Sequence, residues 1–239
     1  MYIRFKSLYL KLFTLIPLLL PVQLWAGNDL SMDEATAYAK EQRVAWTEIF
    51  QAFDVDAQLA EAVIFPELIR YSQLQDYAET TAVESSYVLL GNKGADYSVG
   101  RFQMKPSFVE AVERRWMKQR ELPEQYDAWF DIADTRQARQ VRASRIGDTL
   151  WQCVYLSMFI RLLQIDFPDL ALMNDEHRVL WIATAYNRGV KFPGEGKGDT
   201  TDIEAHIYDR AYHTDFIALP STTRYCYASI ALSHYKTLH

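Results

Sequence analysis

Two cysteines, nine glycines, eight prolines and five histidines are a small share of 239 residues. So little glycine and proline excludes a collagen-like or low-complexity chain. Two cysteines are too few for the disulfide scaffold of a small secreted domain. The histidines show no ligand spacing with cysteines or carboxylates, so neither a metal nor a cofactor is expected. Positive charge is also short: 25 Lys and Arg against 31 Asp and Glu leave a net charge of -6. That balance argues against a nucleic-acid surface and gives no attraction to an anionic membrane. What the chain does have is apolar mass, 49% hydrophobic and 14% aromatic, enough for a large packed core.

The first residues read as an export signal. Arg4 and Lys6 supply positive charge, Leu12 to Leu20 an apolar stretch, and Leu24-Trp25-Ala26-Gly27 a cleavage region, with the cut expected after Ala26. A retained anchor is the other reading, but Lys11 and Pro17 interrupt the run, and spanning needs about 20 apolar residues. The expected organisation is a signal peptide over 1–26 and a single domain over 27–239. The expected address is the periplasm or the medium, with a membrane contact only if the leader is retained. Such a compartment permits a disulfide, and a Cys153–Cys226 bridge is narrowly preferred to two buried thiols.

The mature chain reads as all-α. Ser31 and Glu34 form a capping box that opens a helix running to about Phe53. A second helix is expected from Asp56 to Ser72, and others from Pro106, from Thr135 to Asp166, from Asp175 to Asn187, and in the tail from Thr222 to Tyr235. The stretch from Thr80 to Leu90 is either helical or extended. Gly91 to Gly94 and Phe192 to Asp199 read as loops.

Three segments carry candidate chemistry. In the second helix, Ala60, Val63, Ile64, Glu67, Tyr71 and Leu74 share one face while Phe65, Leu68 and Ile69 occupy the other. A helix apolar nearly all round is a buried one. Desolvation favours the neutral form of a carboxyl group, which is the form a general acid needs. Glu67 is therefore the candidate acid, although Arg70 three residues on could simply pair with it. The second segment is Ser98-Val99-Gly100-Arg101-Phe102-Gln103-Met104-Lys105-Pro106. Gly100 permits an unusual backbone angle, and Gln103 both donates and accepts, as sugar hydroxyls and amides require. The third is Ala185-Tyr186-Asn187-Arg188-Gly189. It is either a helix C-terminus or a site segment in which the Tyr186 hydroxyl orients a carboxyl group and Asn187 ties the loop.

The three segments, in this order, resemble the soluble lytic transglycosylases and related lysozyme-like enzymes. Ser98 to Pro106 looks like the family's Gly-Leu-Met-Gln stretch followed by proline, and Ala185 to Gly189 like its Ala-Tyr-Asn-Ala-Gly. Phe65 to Ser72 is similar to an uncharacterised bacterial branch that shares the Phe-Gln-Met-Lys-Pro-Ser-Phe run. The resemblance implies a lysozyme-like helical domain with a deep glycan-binding groove and an insertion around 118–175. It implies peptidoglycan glycan strands as partner and cleavage of the β-1,4 bond between N-acetylmuramic acid and N-acetylglucosamine. One Glu would act as acid and then base, and the sugar's own hydroxyl would attack to give a 1,6-anhydro product. Ser98, Gly100, Gln103, Met104, Tyr186 and Asn187 would bind or support the substrate.

Alternatives stay open at this level. Glu84, followed by Ser85, stands at a separation from Gly100 nearer the family's, and Glu79 is a third carboxyl. A hydrolytic muramidase would need a second carboxylate, with Asp96 as the candidate. A non-catalytic glycan-binding protein of the same fold and a structural subunit of an envelope assembly are the remaining readings. The oligomeric state is open.

Overall fold

A computed structural model describes residues 32–71, 73–119, 130–190, 192, 202–212 and 224–239. The leader, Ser31 of the capping box, Ser72, Thr222 and most of the loop from Phe192 to Asp199 lie outside the described residues. The described chain is mainly helical, with 74% helix and almost no strand. None of its helices is long and apolar enough to cross a membrane.

The first helix, α1, spans Met32–Ala52 and buries Ala35, Ala39, Trp46 and Phe50. Asp56 caps α2 (Ala57–Arg70) by accepting from the amides of Gln58 and Leu59, donors that a helix start otherwise leaves unpaired. Every residue from Leu59 to Leu68 is buried, as an all-round apolar helix requires. Pro66 lies inside α2 without ending it. It cannot donate to the Ala62 carbonyl one turn back, and beside that carbonyl the Tyr227 hydroxyl donates to the Val63 carbonyl at 2.9 Å.

The ambiguous stretch after Thr80 is helical: α3 (Gln73–Ala82) runs through a π-helical turn, Val83–Tyr87, into the short α4 (Val88–Leu90). A 3-10 turn, Gly91–Lys93, follows. Pro106 begins α5 (Pro106–Trp116), where its missing amide costs nothing. The segment expected as helix from Thr135 to Asp166 is two helices, α6 (Arg136–Ile146) and α7 (Thr149–Asp166). The break has a local cause. Gly147 closes α6, and the Asp148 side chain accepts from the amides of Leu150 and Trp151 to open α7. Asn174 caps α8 (Asp175–Arg188), which ends at Gly189 with φ +78°. A single turn, α9 (Ile203–His206), precedes the antiparallel pair β1 (Arg210–Tyr212) and β2 (Arg224–Cys226). The tail helix, α10, spans Tyr227–Thr237, and the residues just before it are strand rather than helix.

The core lies where α2, α7, α8 and α10 meet. Cys153, Leu156, Phe159, Ile160 and Leu163 of α7 are essentially inaccessible, as are Val179, Ile182 and Ala183 of α8. Helix α10 packs on both α2 and α8, while α7 touches α1, α2 and α5. Two buried ionic clusters join helices across this core. Arg43 of α1 grips Glu61 of α2 through two bonds of 2.8 and 2.7 Å. His234 of α10 meets the same carboxylate at 2.9 Å and stacks on Phe65. In the second cluster, Glu113 of α5 accepts from Tyr155 of α7 at 2.7 Å and from Arg142 of α6 at 2.5 Å.

The expected disulfide is absent. Cys153 and Cys226 are both free thiols. Cys153 faces the apolar interior of α7, where burial drives its ionisation upward, and the half-buried Cys226 donates to the Ile207 carbonyl at 3.4 Å.

Candidate functional site

The segment from Ser98 to Pro106 folds as a tight turn before α5. Val99 and Met104 exchange backbone hydrogen bonds of 2.9 and 3.0 Å, and the Gln103 amide donates to the Gly100 carbonyl at 3.1 Å. Closing so short a loop takes two residues into the left-handed region, Gly100 at φ +74° and Gln103 at φ +53°. Glycine accepts that angle freely, and a residue with a Cβ does so at a cost. At Gly100 a Cβ would also fall 2.2 Å from the side-chain nitrogen of Gln152.

Gln152 explains why the turn keeps its shape. Fully buried on α7, it donates to the carbonyls of Val99 at 2.7 Å and Ile146 at 2.9 Å. Its oxygen accepts from the Phe102 amide at 3.2 Å. One side-chain amide therefore joins three buried backbone groups, with the Val99 carbonyl taking it as a second donor beside the Met104 amide. From the other side, Asp76 of α3 accepts from the Gly100 amide and, at 3.0 Å, from the Tyr71 hydroxyl. Arg101 lies between the rings of Tyr38 and Tyr71, 4.3 and 3.9 Å from their centres, a cation–π arrangement. Burial, and next the charge of Asp76, push the Tyr71 hydroxyl up to about 12.

This turn forms one wall of a cleft of about 470 Å³. Helix α2 contributes Glu67 and Arg70, the turn and the start of α5 contribute Ser98, Gln103, Met104, Lys105 and Phe108, and the end of α8 contributes Tyr186, Asn187 and Arg188. Phe159 and Phe192 add apolar surface. Glu67 is 5% exposed and lies 3.2 Å from Arg70. It is the sole carboxylate among the described residues that line the cleft.

Six of the seven predicted site residues thus meet in one place: Glu67, Ser98, Gln103, Met104, Tyr186 and Asn187. The seventh, Gly100, sits behind the wall, where it shapes the turn. The other carboxyl candidates are elsewhere. Glu84 is exposed and borders a separate groove with Arg136, Gln140 and Ser144. Glu79 is buried on α3 and does not line the cleft. Asp96 is engaged at the start of α5, accepting from the Ser107 amide at 2.8 Å and its hydroxyl at 2.7 Å. It serves as a cap supplied from outside the helix, because Lys105 at the cap position has no side-chain acceptor.

Two sequence expectations about these side chains change. Of the two readings of the Ala185–Gly189 segment, the helix C-terminus stands, and in the other the Tyr186 hydroxyl orients a carboxyl group, whereas its single proton goes to the Phe102 carbonyl at 2.6 Å, so it braces the turn. Burial raises its ionisation well above the ordinary tyrosine range, with the charge of nearby Glu67 as the next cause. Gln103, suited by its amide to sugar groups, donates to the Gly100 carbonyl at 2.9 Å, which leaves its oxygen and its second N–H as the groups available to a ligand. Sequence reasoning missed Gln152, Asp76, Lys105 and Phe159. Gln152 left one signal, an amide within the apolar first half of α7. No protein-family model matches the chain, and neither does any curated protein or solved structure.

Proposed function

We propose that this chain is an exported peptidoglycan lytic transglycosylase with a lysozyme-like helical domain, and that Glu67 is its acid and base. The observation that carries the reading is the convergence of three separated segments on one cleft with a single buried carboxylate, Glu67, among its described lining. A lytic transglycosylase needs one such group. As acid, the carboxyl protonates the glycosidic oxygen while the bond to the anomeric carbon breaks. As base, the resulting carboxylate takes the proton of the C6 hydroxyl, whose oxygen attacks the same carbon and closes the 1,6-anhydro ring. Burial favours the protonated form of a carboxyl, and a guanidinium 3.2 Å away favours the ionised one. Opposing influences of this kind suit a group that must release and recover a proton.

Hydrolysis asks for a second carboxylate to activate water. Both oxygens of Asp96 are occupied at the start of α5, and this favours the intramolecular route. One observation favours a different reading: the Glu67–Arg70 pair is also what a purely structural carboxylate would form, as in a glycan-binding protein without catalysis. Purified protein incubated with sacculi separates the readings by muropeptide analysis. Anhydro ends are expected. Reducing ends would make it a hydrolase, and retention on sacculi with no released fragment, unchanged in Glu67→Gln, would make it a binder.

A further inference from the structure

Glu67 sits in the last turn of α2, which ends at Arg70. Terminal turns fray, because the last carbonyls of a helix have no partner further along it. No glycine closes this end. Tyr71 leaves the helix in extended geometry, with φ -63° and ψ 124°. Its side chain is tethered instead. The Tyr71 hydroxyl donates to one carboxylate oxygen of Asp76 at 3.0 Å, and the ring lies 3.9 Å from the Arg101 guanidinium. The other Asp76 oxygen accepts from the Gly100 amide at 2.5 Å. One side chain of α3 therefore holds two cleft walls together. Tyr186 and Gln152 bond the turn to α8 and α7, whereas Asp76 bonds it to the exit of α2.

The chemistry of the position asks for a carboxylate. Both oxygens face donors, and an ionised carboxylate only accepts, whereas an amide offers one acceptor and one donor. Hydrogen bonds to an ionised acceptor are about twice as strong as neutral ones. Burial, and next the charge of Asp76, raise the Tyr71 ionisation to about 12, so the phenol remains a donor at neutral pH.

We infer that, given the glycan-cleaving reading above, Asp76 is a positioning residue that couples the Glu67 end of α2 to the turn carrying Gln103. Asp76 does not line the cleft, so it acts through Tyr71 and Gly100 and sets where the acid stands relative to a strand held by the turn. A misplacement of about 1 Å at the reacting centre can cost about a hundredfold in rate. Loss of the coupling should therefore appear in kcat, while the surfaces that hold the strand remain and KM changes little.

The test uses the full chain and soluble, uncrosslinked peptidoglycan strands, with kcat and KM measured well below the thermal midpoint of each variant. Asp76→Ala should lower kcat at least about tenfold with KM within about threefold. Tyr71→Phe removes the α2 half of the clamp alone and should reproduce most of that fall. The double variant should be no more than about twofold worse than Asp76→Ala, since two bonds on one carboxylate act as a unit. Asp76→Asn keeps an acceptor for the Gly100 amide and loses the one for Tyr71. It should behave as Tyr71→Phe does, and it carries the test if the alanine variant does not fold. A readout without turnover is the Gly100 amide proton in NMR, expected downfield in the parent and in Tyr71→Phe and shifted upfield in Asp76→Ala. Values of kcat within about twofold of the parent, losses that multiply in the double variant, a change confined to KM, or a Gly100 proton that Asp76→Ala does not move would each overturn the inference and leave the glycan reading standing. A parent protein that releases no fragment removes the glycan reading itself, and the inference with it.

Discussion

The Tyr186 hydroxyl donates to the Phe102 carbonyl at 2.6 Å, tying the end of α8 to the middle of the turn before α5. The two residues lie 84 positions apart in sequence, and the bond fixes the separation of two cleft walls. Tyr186→Phe keeps the ring that packs edge-on against Phe108 and Phe159 but leaves the carbonyl without its partner. A lost buried hydrogen bond costs about 1–2 kcal/mol. Urea unfolding should show that loss, together with a several-fold fall in muropeptide release. Unchanged stability would mean that the bond does not brace the turn.

Glu67→Gln preserves shape and replaces the proposed proton-transferring group. General acid–base catalysis contributes about 10²–10⁴-fold, so release of anhydro-muropeptides should fall by at least about a hundredfold. Circular dichroism should show an unchanged helical signal. Glu84→Gln, which alters an exposed residue bordering a different groove, should leave release within about twofold of the parent.

Gly100→Ala meets two obstacles at once, a left-handed backbone angle and a Cβ directed at the amide of Gln152. Backbone strain of this type costs about 1–3 kcal/mol, and displacing Gln152 adds to it. Chemical unfolding should therefore show a loss of at least about 2 kcal/mol, larger than that of Tyr186→Phe.

The Glu61 cluster makes stability depend on acid. Burial alone would raise the ionisation of this carboxyl, but hydrogen bonds from Arg43 and His234, with their charges, outweigh it and hold the group below its usual range. A carboxylate depressed in the folded state adds stability that is fully present above its unfolded pKa, about 4.3. That stability is lost as pH falls through the lower folded value. Melting temperature should decline below about pH 4, and Glu61→Gln should flatten that decline while lowering stability at neutral pH. A variant with the parent's acid limb would assign the decline to other carboxylates.

The two thiols should react differently. Cys153 is inaccessible and its ionisation is driven up by burial, and a buried thiol is inert because the thiolate is the nucleophile. Native protein treated with iodoacetamide should take up label at Cys226 alone, and unfolded protein should take it up at both, without prior reduction. No label on unfolded, unreduced protein would mean that the two sulfurs are bonded.

How much of this was legible in the sequence follows from where each signal resides. Local chemistry could be read directly. The start of α2 near Asp56, the proline start of α5, the all-round apolar character of α2 and the glycine after Arg188 each depend on a few consecutive residues, and each stands in the structure. The split between α6 and α7 was also written locally, as Gly147-Asp148, but a single glycine inside a long helix-favouring stretch does not by itself announce a break. The convergence of Glu67, Gln103 and Tyr186 was suggested by motif order rather than by any local property. What could not be read were bonds between distant residues. Nothing near Gln152 indicates that it holds a turn some 50 positions earlier, and nothing near Asp76 points to the Gly100 amide. The disulfide expectation failed for the same reason, because compartment chemistry says that a bridge is allowed and only packing says whether two sulfurs meet.

The pairing of α2 with α10 bears on how the chain matures. The helix that carries Glu67 is covered by residues synthesised more than 150 positions later, among them Tyr227 on the Val63 carbonyl and His234 on Glu61. Contacts so distant in sequence form late, since the chain between them must first be ordered. A nascent chain shorter than α10 leaves an apolar face of α2 open and an acidic residue half-neutralised. Such an intermediate invites chaperones and aggregation, and it leaves the helix that carries Glu67 without its cover until α10 has docked.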